Sequence, residues 1–171
     1  TLFETVKDSY TALSVRYFKM KAQCLGLPQL EVWDRAAPLP DVPEPTYTWD
    51  EAKKIVLDTL TAFSPEMGRI GGLFFEKGWI DAAPRAGKTF GAYSHQTVSG
   101  VHPYILMNFT GRLEDVETLA HELGHGIHQY LYRTHGELMG NVPLTVAETA
   151  SVFSEMLVFQ KLLDGMTDPL L

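Results

Sequence analysis

Apolar residues recur every three or four positions at the start of the chain, at Leu2, Phe3, Val6, Tyr10, Leu13, Tyr17 and Met20. That period predicts a helix over residues 1 to about 25, stopped by Gly26 and Pro28. From Asp34 to Pro45 the period is lost, and Pro38, Pro40, Pro43 and Pro45 predict extended loop. The apolar Ala36, Ala37, Leu39 and Val42 within it predict that it packs on a surface rather than hanging free as a linker. Thr48 and Glu51 form a capping-box pair, so a helix is expected from Trp49 to about Phe63. Ser64-Pro65 signals a second start, with Leu73, Phe74 and Phe75 deeper in that helix and Gly78 after it. Between Thr89 and Phe109 the pattern changes. Residues 90–95 and 103–109 are rich in aromatic and branched side chains, and they predict two short strands of a hairpin turning around Ser99-Gly100. The helical period returns from Gly111 to about Thr134, and again from Thr145 to about Leu163. The expected fold class is mainly α with one small sheet, without internal repeats.

Composition narrows the partners. The 171 residues (19.1 kDa) suit one domain, and 45% hydrophobic against 20% charged residues supports a packed core. A formal charge of -7 argues against nucleic acid or an anionic membrane surface as a partner. One cysteine, Cys24, leaves no internal disulfide to form and reads as a small buried hydrophobe. There is no apolar run of about 18 residues, and the charged opening segment is no signal peptide. A cytoplasmic location is expected. The chain begins with Thr1 rather than Met, as a piece of something longer would.

The candidate chemistry lies in the helix after the hairpin, at His121-Glu122-Leu123-Gly124-His125. Histidines at this spacing stand one above the other on a helix face, so both imidazoles can reach one cation. Glu122 is near enough to hydrogen-bond a water on that cation. Neutral imidazole suits zinc, and a catalytic zinc keeps a position open for water. The alternative is a plain histidine pair at helical spacing, but the match sits on a strongly periodic helix, as the motif's mechanics require. A third-histidine pattern fails, because His128 and Leu131 occupy its glycine and final histidine positions. A carboxylate of the next helix is the remaining route. Glu148 and Glu155 face one side of it, about 10 Å apart along the axis. Thr145 to Glu148 also reads as a capping box, so spacing alone leaves Glu148 with two roles. Glu117, one turn before His121, could fix a ligand's tautomer or be a solvated acid at a helix start. His128 reads as a packing or polar-network residue.

With these residues in view, the chain resembles the zinc oligopeptidases of the thimet oligopeptidase and oligoendopeptidase F family, closest to the oligoendopeptidase F branch. The resemblance rests on Gly91-Ala92-Tyr93, on residues 103–108, on the run from Asp115 to His125, and on Ala147-Glu148 through Glu155. The Leu25 to Asp34 and Ala37-Pro38-Leu39 patterns are similar as well. It implies a zincin-like helical catalytic core with one zinc per chain, held by His121, His125 and Glu148. Glu122 is then the catalytic carboxylate, and Gly91, Ala92 and Tyr93 line the cleft and pair with substrate backbone, while Glu117 and Glu155 are the candidates to stand behind the ligands. Family members are several times longer. Residues 1–171 therefore correspond to a single segment, the central zinc-binding part of a larger catalytic domain with both flanks outside it. The histidine and tyrosines that steady the oxyanion in the family match no position here. The implied substrates are short peptides, and segments of the parent chain are implied partners.

Two other functions stand beside this one: a non-catalytic zinc-binding fragment that docks on other segments, and a related zinc carboxypeptidase. The second needs a cation for a terminal carboxylate, from Arg69, Arg85, Arg112 or Arg133. Gly87-Lys88-Thr89 fails as a phosphate loop because Ala82 stands where the first glycine belongs. His95 and His102 flank the hairpin loop as possible cleft residues. Trp33, Trp49 and Trp79 read as core anchors.

Overall fold

The structure, a computed structural model, describes residues 1–39, 45–140 and 142–165. The chain divides into two compact units, Thr1–Pro43 and Glu44–Pro169. In the first, helix α1 (Leu2–Cys24) is capped by the Thr1 hydroxyl, which accepts from the Glu4 N–H. Asp34 Oδ2 accepts from the Glu31 N–H at 2.9 Å and closes a short 3-10 helix, Val32–Ala36. The extended loop expected from Asp34 is therefore shorter, because an acidic side chain ties the turn before the prolines begin. Ala36 and Leu39 are exposed rather than packed, whereas Ala37 is half-buried. Pro40, Val42 and Pro43 lie outside the described residues. Cys24 is exposed and Trp33 is 78% exposed, so neither is the core residue expected.

The second unit begins with α2 (Trp49–Phe63) and α3 (Pro65–Glu76). The capping box forms as the sequence predicts, with Glu51 accepting from the Thr48 N–H at 2.8 Å. At Gly68 an added Cβ would stand 2.9 Å from Thr61 Cα, so the two helices approach where only glycine fits. Three strands follow, β1 (Ile80–Asp81), β2 (Tyr93–His95) and β3 (Tyr104–Leu106), in the order β1-β3-β2. The antiparallel β2–β3 hairpin matches the expectation. The parallel β1 is an addition. Two residues are too few to show a period, and β1 exists because β3 has a second edge: Ile105 N donates to Trp79 O at 2.9 Å and Met107 N to Asp81 O at 3.0 Å.

Helix α4 (Leu113–Tyr132) starts where Asp115 Oδ2 accepts from the N–H groups of Thr110 (2.7 Å) and Arg112 (3.0 Å). Partial burial opposes ionisation there, yet these bonds and the Thr110 hydroxyl hold the Asp115 carboxyl below its usual range. Helix α5 (Leu144–Gly165) packs along α4. The core between helices and sheet is built from Val56, Leu60, Ile70, Phe74, Ile105, Met107, Leu119, Leu123 and Val158, with Trp49 and Trp79 against it. This is the mainly helical fold with one small sheet that the sequence predicts.

Candidate metal centre

Glycine decides how closely α4 and α5 meet. A Cβ on Gly124 would stand 2.7 Å from the Ala150 carbonyl oxygen and 2.9 Å from Ser151 Cα, so α5 backbone lies directly on α4 here. On another face, a Cβ on Gly126 would stand 2.7 Å from Phe74 Cζ. The contact at Gly124 carries Glu148, less than a turn from Ala150, toward the two histidines. Glu148 Oε2 lies 3.4 Å from His121 Nε2 and 3.5 Å from His125 Nε2. The capping role weighed for Glu148 is not realised, because α5 begins at Leu144 and Thr145 lies inside it. The Glu148 carboxylate accepts instead from the buried Ser151 hydroxyl at 2.8 Å.

The ring of His121 is oriented from behind. Its Nδ1 lies 2.8 Å from Glu155 Oε2, which places the proton on Nδ1 and leaves Nε2 an acceptor. Glu155, not Glu117, occupies that position. Among the described hydrogen bonds Glu117 makes none to His121. Glu117 lines the same groove, where burial first, then Glu155 and Glu114, push its carboxyl upward. His125 is pulled downward by burial against the opposing charge of Glu148, with His121 and His128 adding to the fall.

These donors fit a divalent ion. One ligand atom from each of His121, His125 and Glu148 lies within 4.8 Å of the others. Ser151 holds Glu148 Oε2 from one side at 2.8 Å, and the two imidazole Nε2 atoms face it from the other, as ligands about one cation would. Zinc bonds of about 2.0–2.2 Å at tetrahedral angles separate ligand atoms by about 3.4 Å, and two imidazoles with a carboxylate are a donor set zinc takes in catalytic sites.

Glu122 is the buried acid of the group, 6% exposed, and its Oε2 has no hydrogen-bond partner among the described residues. Burial pushes its carboxyl up to about 7, with Glu148 adding to the rise and His121 and the Ser94 backbone N–H opposing it. Ala92 lines the grooves on both sides, one with Glu117 and Glu155, the other with Tyr93, His125 and Glu148. Gly91 turns at φ 79°, and its carbonyl accepts from Asn108 Nδ2 at 3.2 Å, which sets the approach to β2. His95 lines a polar groove beside His125 with His128, whereas His102 stacks on Trp79 with ring centroids 3.9 Å apart. The sequence pattern did not reveal Gln129, which binds Ser94 on β2.

A family model described as Peptidase family M3 matches residues 1–168. The chain belongs to peptidase family M3. This M3 chain is 34% identical to Oligopeptidase PepF of Bacillus subtilis over 162 residues, which are 94% of it and 24% of that protein. It is 31% identical to Group B oligopeptidase PepB of Streptococcus agalactiae, over 98% of its length and 28% of that protein. A solved chain from Chlamydophila abortus, described as a peptidase, superposes with a TM-score of 0.78 at 34% identity, covering 98% of the M3 chain and 28% of the other. PZ peptidase A, solved with an inhibitor, shares the fold with a TM-score of 0.79 at 23% identity, over 92% and 28%. The M3 chain thus spans about a quarter of the length of the curated relatives it matches.

Proposed function

We propose that this chain is the metal-binding core of a zinc-dependent endopeptidase that cleaves short peptides, one zinc per chain, and that it forms the central part of a larger catalytic domain. The convergence of His121 Nε2, His125 Nε2 and Glu148 Oε2 carries this reading. Bound there, zinc would supply Lewis-acid polarisation of a peptide carbonyl and make water a nucleophile at neutral pH. The chain's own residues supply the rest. Glu155 holds the His121 ring in the tautomer that presents Nε2. Glu122 takes the proton of the attacking water at its buried carboxylate and returns it to the leaving amine as the C–N bond breaks. The main chain at Ala92, just ahead of β2, takes the peptide by hydrogen bonds, which orients it with little demand on sequence.

Three of the four arginines considered for a carboxypeptidase role are engaged elsewhere. Arg69 and Arg85 are each held by two bonds, to Glu66 and Asp81, and Arg133 lies over the Tyr130 ring. Docking on other segments is favoured by the apolar face of α5, where Val152, Phe153, Met156 and Leu163 are exposed. No helix among the described residues is long and apolar enough to cross a membrane, and a cytoplasmic location accompanies the proposal.

The test is metal content with cleavage of an internally quenched peptide, comparing the chain with Glu122→Gln. One zinc per chain is expected in both, and cleavage only with Glu122 present. Absence of zinc in the unaltered chain, or equal cleavage by the variant, overturns the assignment.

A further inference from the structure

Edge strand β2 offers main-chain groups to a peptide only where nothing else has taken them. The Ser94–Ile105 pair is a non-hydrogen-bonded one, because Ile105 N is spent on Trp79 O at the β1 side. Ser94 therefore turns its own N–H and C=O to the free edge, and so does every second residue of an extended chain around it, Ala92 included. At Ser94 that edge is covered. Gln129 Nε2 donates to Ser94 O at 3.2 Å, and Gln129 Oε1 accepts from Ser94 Oγ at 2.8 Å. Glu122 lines the groove beside Ser94. Glu122 and Gln129 are seven residues apart on α4, so one helix face substitutes for the neighbouring strand at a single residue of β2. Ala92 is left with no main-chain hydrogen bond among those described, and it borders both grooves at His121 and Glu122.

We propose that Gln129 is a positioning residue that fixes the register of the bound peptide: by capping Ser94 it confines strand pairing to Ala92, and so selects which peptide bond faces Glu122. The inference rests on the peptidase reading above. With the cap removed, the Ser94 carbonyl becomes a second pairing point, two residues along the strand. A peptide can then slip by two residues, the smallest shift that keeps its side chains on the same faces.

The experiment uses the zinc-loaded 171-residue chain and its Gln129→Ala and Gln129→Glu variants on one peptide of about ten residues, with products identified by mass. The unaltered chain is expected to cut one dominant bond. Gln129→Ala should add a cut displaced by two residues and reduce the preference for the first by about tenfold, the worth of one hydrogen bond. Gln129→Glu keeps the acceptor for the Ser94 hydroxyl but loses the donor to its carbonyl, and should slip as Gln129→Ala does. In the metal-free chain, deuterium exchange over residues 92–96 should quicken in Gln129→Ala. A merely structural tie would lower cleavage of every bond alike. An unchanged product pattern in both variants therefore overturns the inference and leaves the peptidase reading intact, whereas absence of cleavage by the unaltered chain overturns both.

Discussion

At His121 the partner of Nδ1 decides what the ring can do. The bond between Nδ1 and Glu155 Oε2 at 2.8 Å turns Nε2 toward Glu148, and without it either tautomer is open to the ring. Replacing Glu155 with Gln should therefore weaken zinc binding about 10- to 100-fold, the usual cost of losing the group behind a ligating histidine. Glu117→Gln should change it far less, because no hydrogen bond joins Glu117 to the ring. Titration with a competing chelator reads both, and a larger loss from Glu117→Gln would reverse the assignment. Sequence spacing alone favours the other order, since Glu117 stands one turn from His121 while Glu155 is 34 residues away.

Between elements, the decisive contact is that of α4 with α5 at Gly124. A mid-helix glycine costs roughly 1 kcal/mol relative to alanine, so its presence needs a packing reason. Here the reason is the Ala150 carbonyl, 2.7 Å from where a Cβ would stand. Backbone cannot yield as a flexible side chain can. Gly124→Ala should push the helices apart, cost about 1–3 kcal/mol in urea denaturation, and draw Glu148 away from the histidines. Zinc binding should fall with it, and full zinc affinity alongside lost stability would show that α5 is not set by this contact. The strands carry a parallel lesson: β2 and β3 announced themselves by composition, whereas β1 was drawn in by the second edge of β3.

For the molecule as a whole, the proposed zinc site would draw its three ligand atoms from α4 and α5, which would make zinc binding a measure of folding. The site requires both helices in place, so zinc should stabilise the folded form and not the unfolded one. At a free concentration about 100 times its dissociation constant the gain is about 2.7 kcal/mol. Thermal or urea melts with and without zinc measure it. Glu148→Ala should abolish the gain, and a melt indifferent to zinc would remove the metal centre.

What the residues determine by themselves is whatever depends on near neighbours in the chain. The helical periods, the Thr48–Glu51 and Ser64–Pro65 starts, the β2–β3 hairpin and the stacking of His121 over His125 all follow from spacings of a few residues. Tertiary structure alone decided that Glu148 faces the histidines rather than capping α5, that Glu155 rather than Glu117 stands behind His121, and that Gln129 closes β2 at Ser94. Each of these joins positions 23 to 35 residues apart, and such pairs meet only where close packing at Gly124 and at the edge of β2 brings their backbones together.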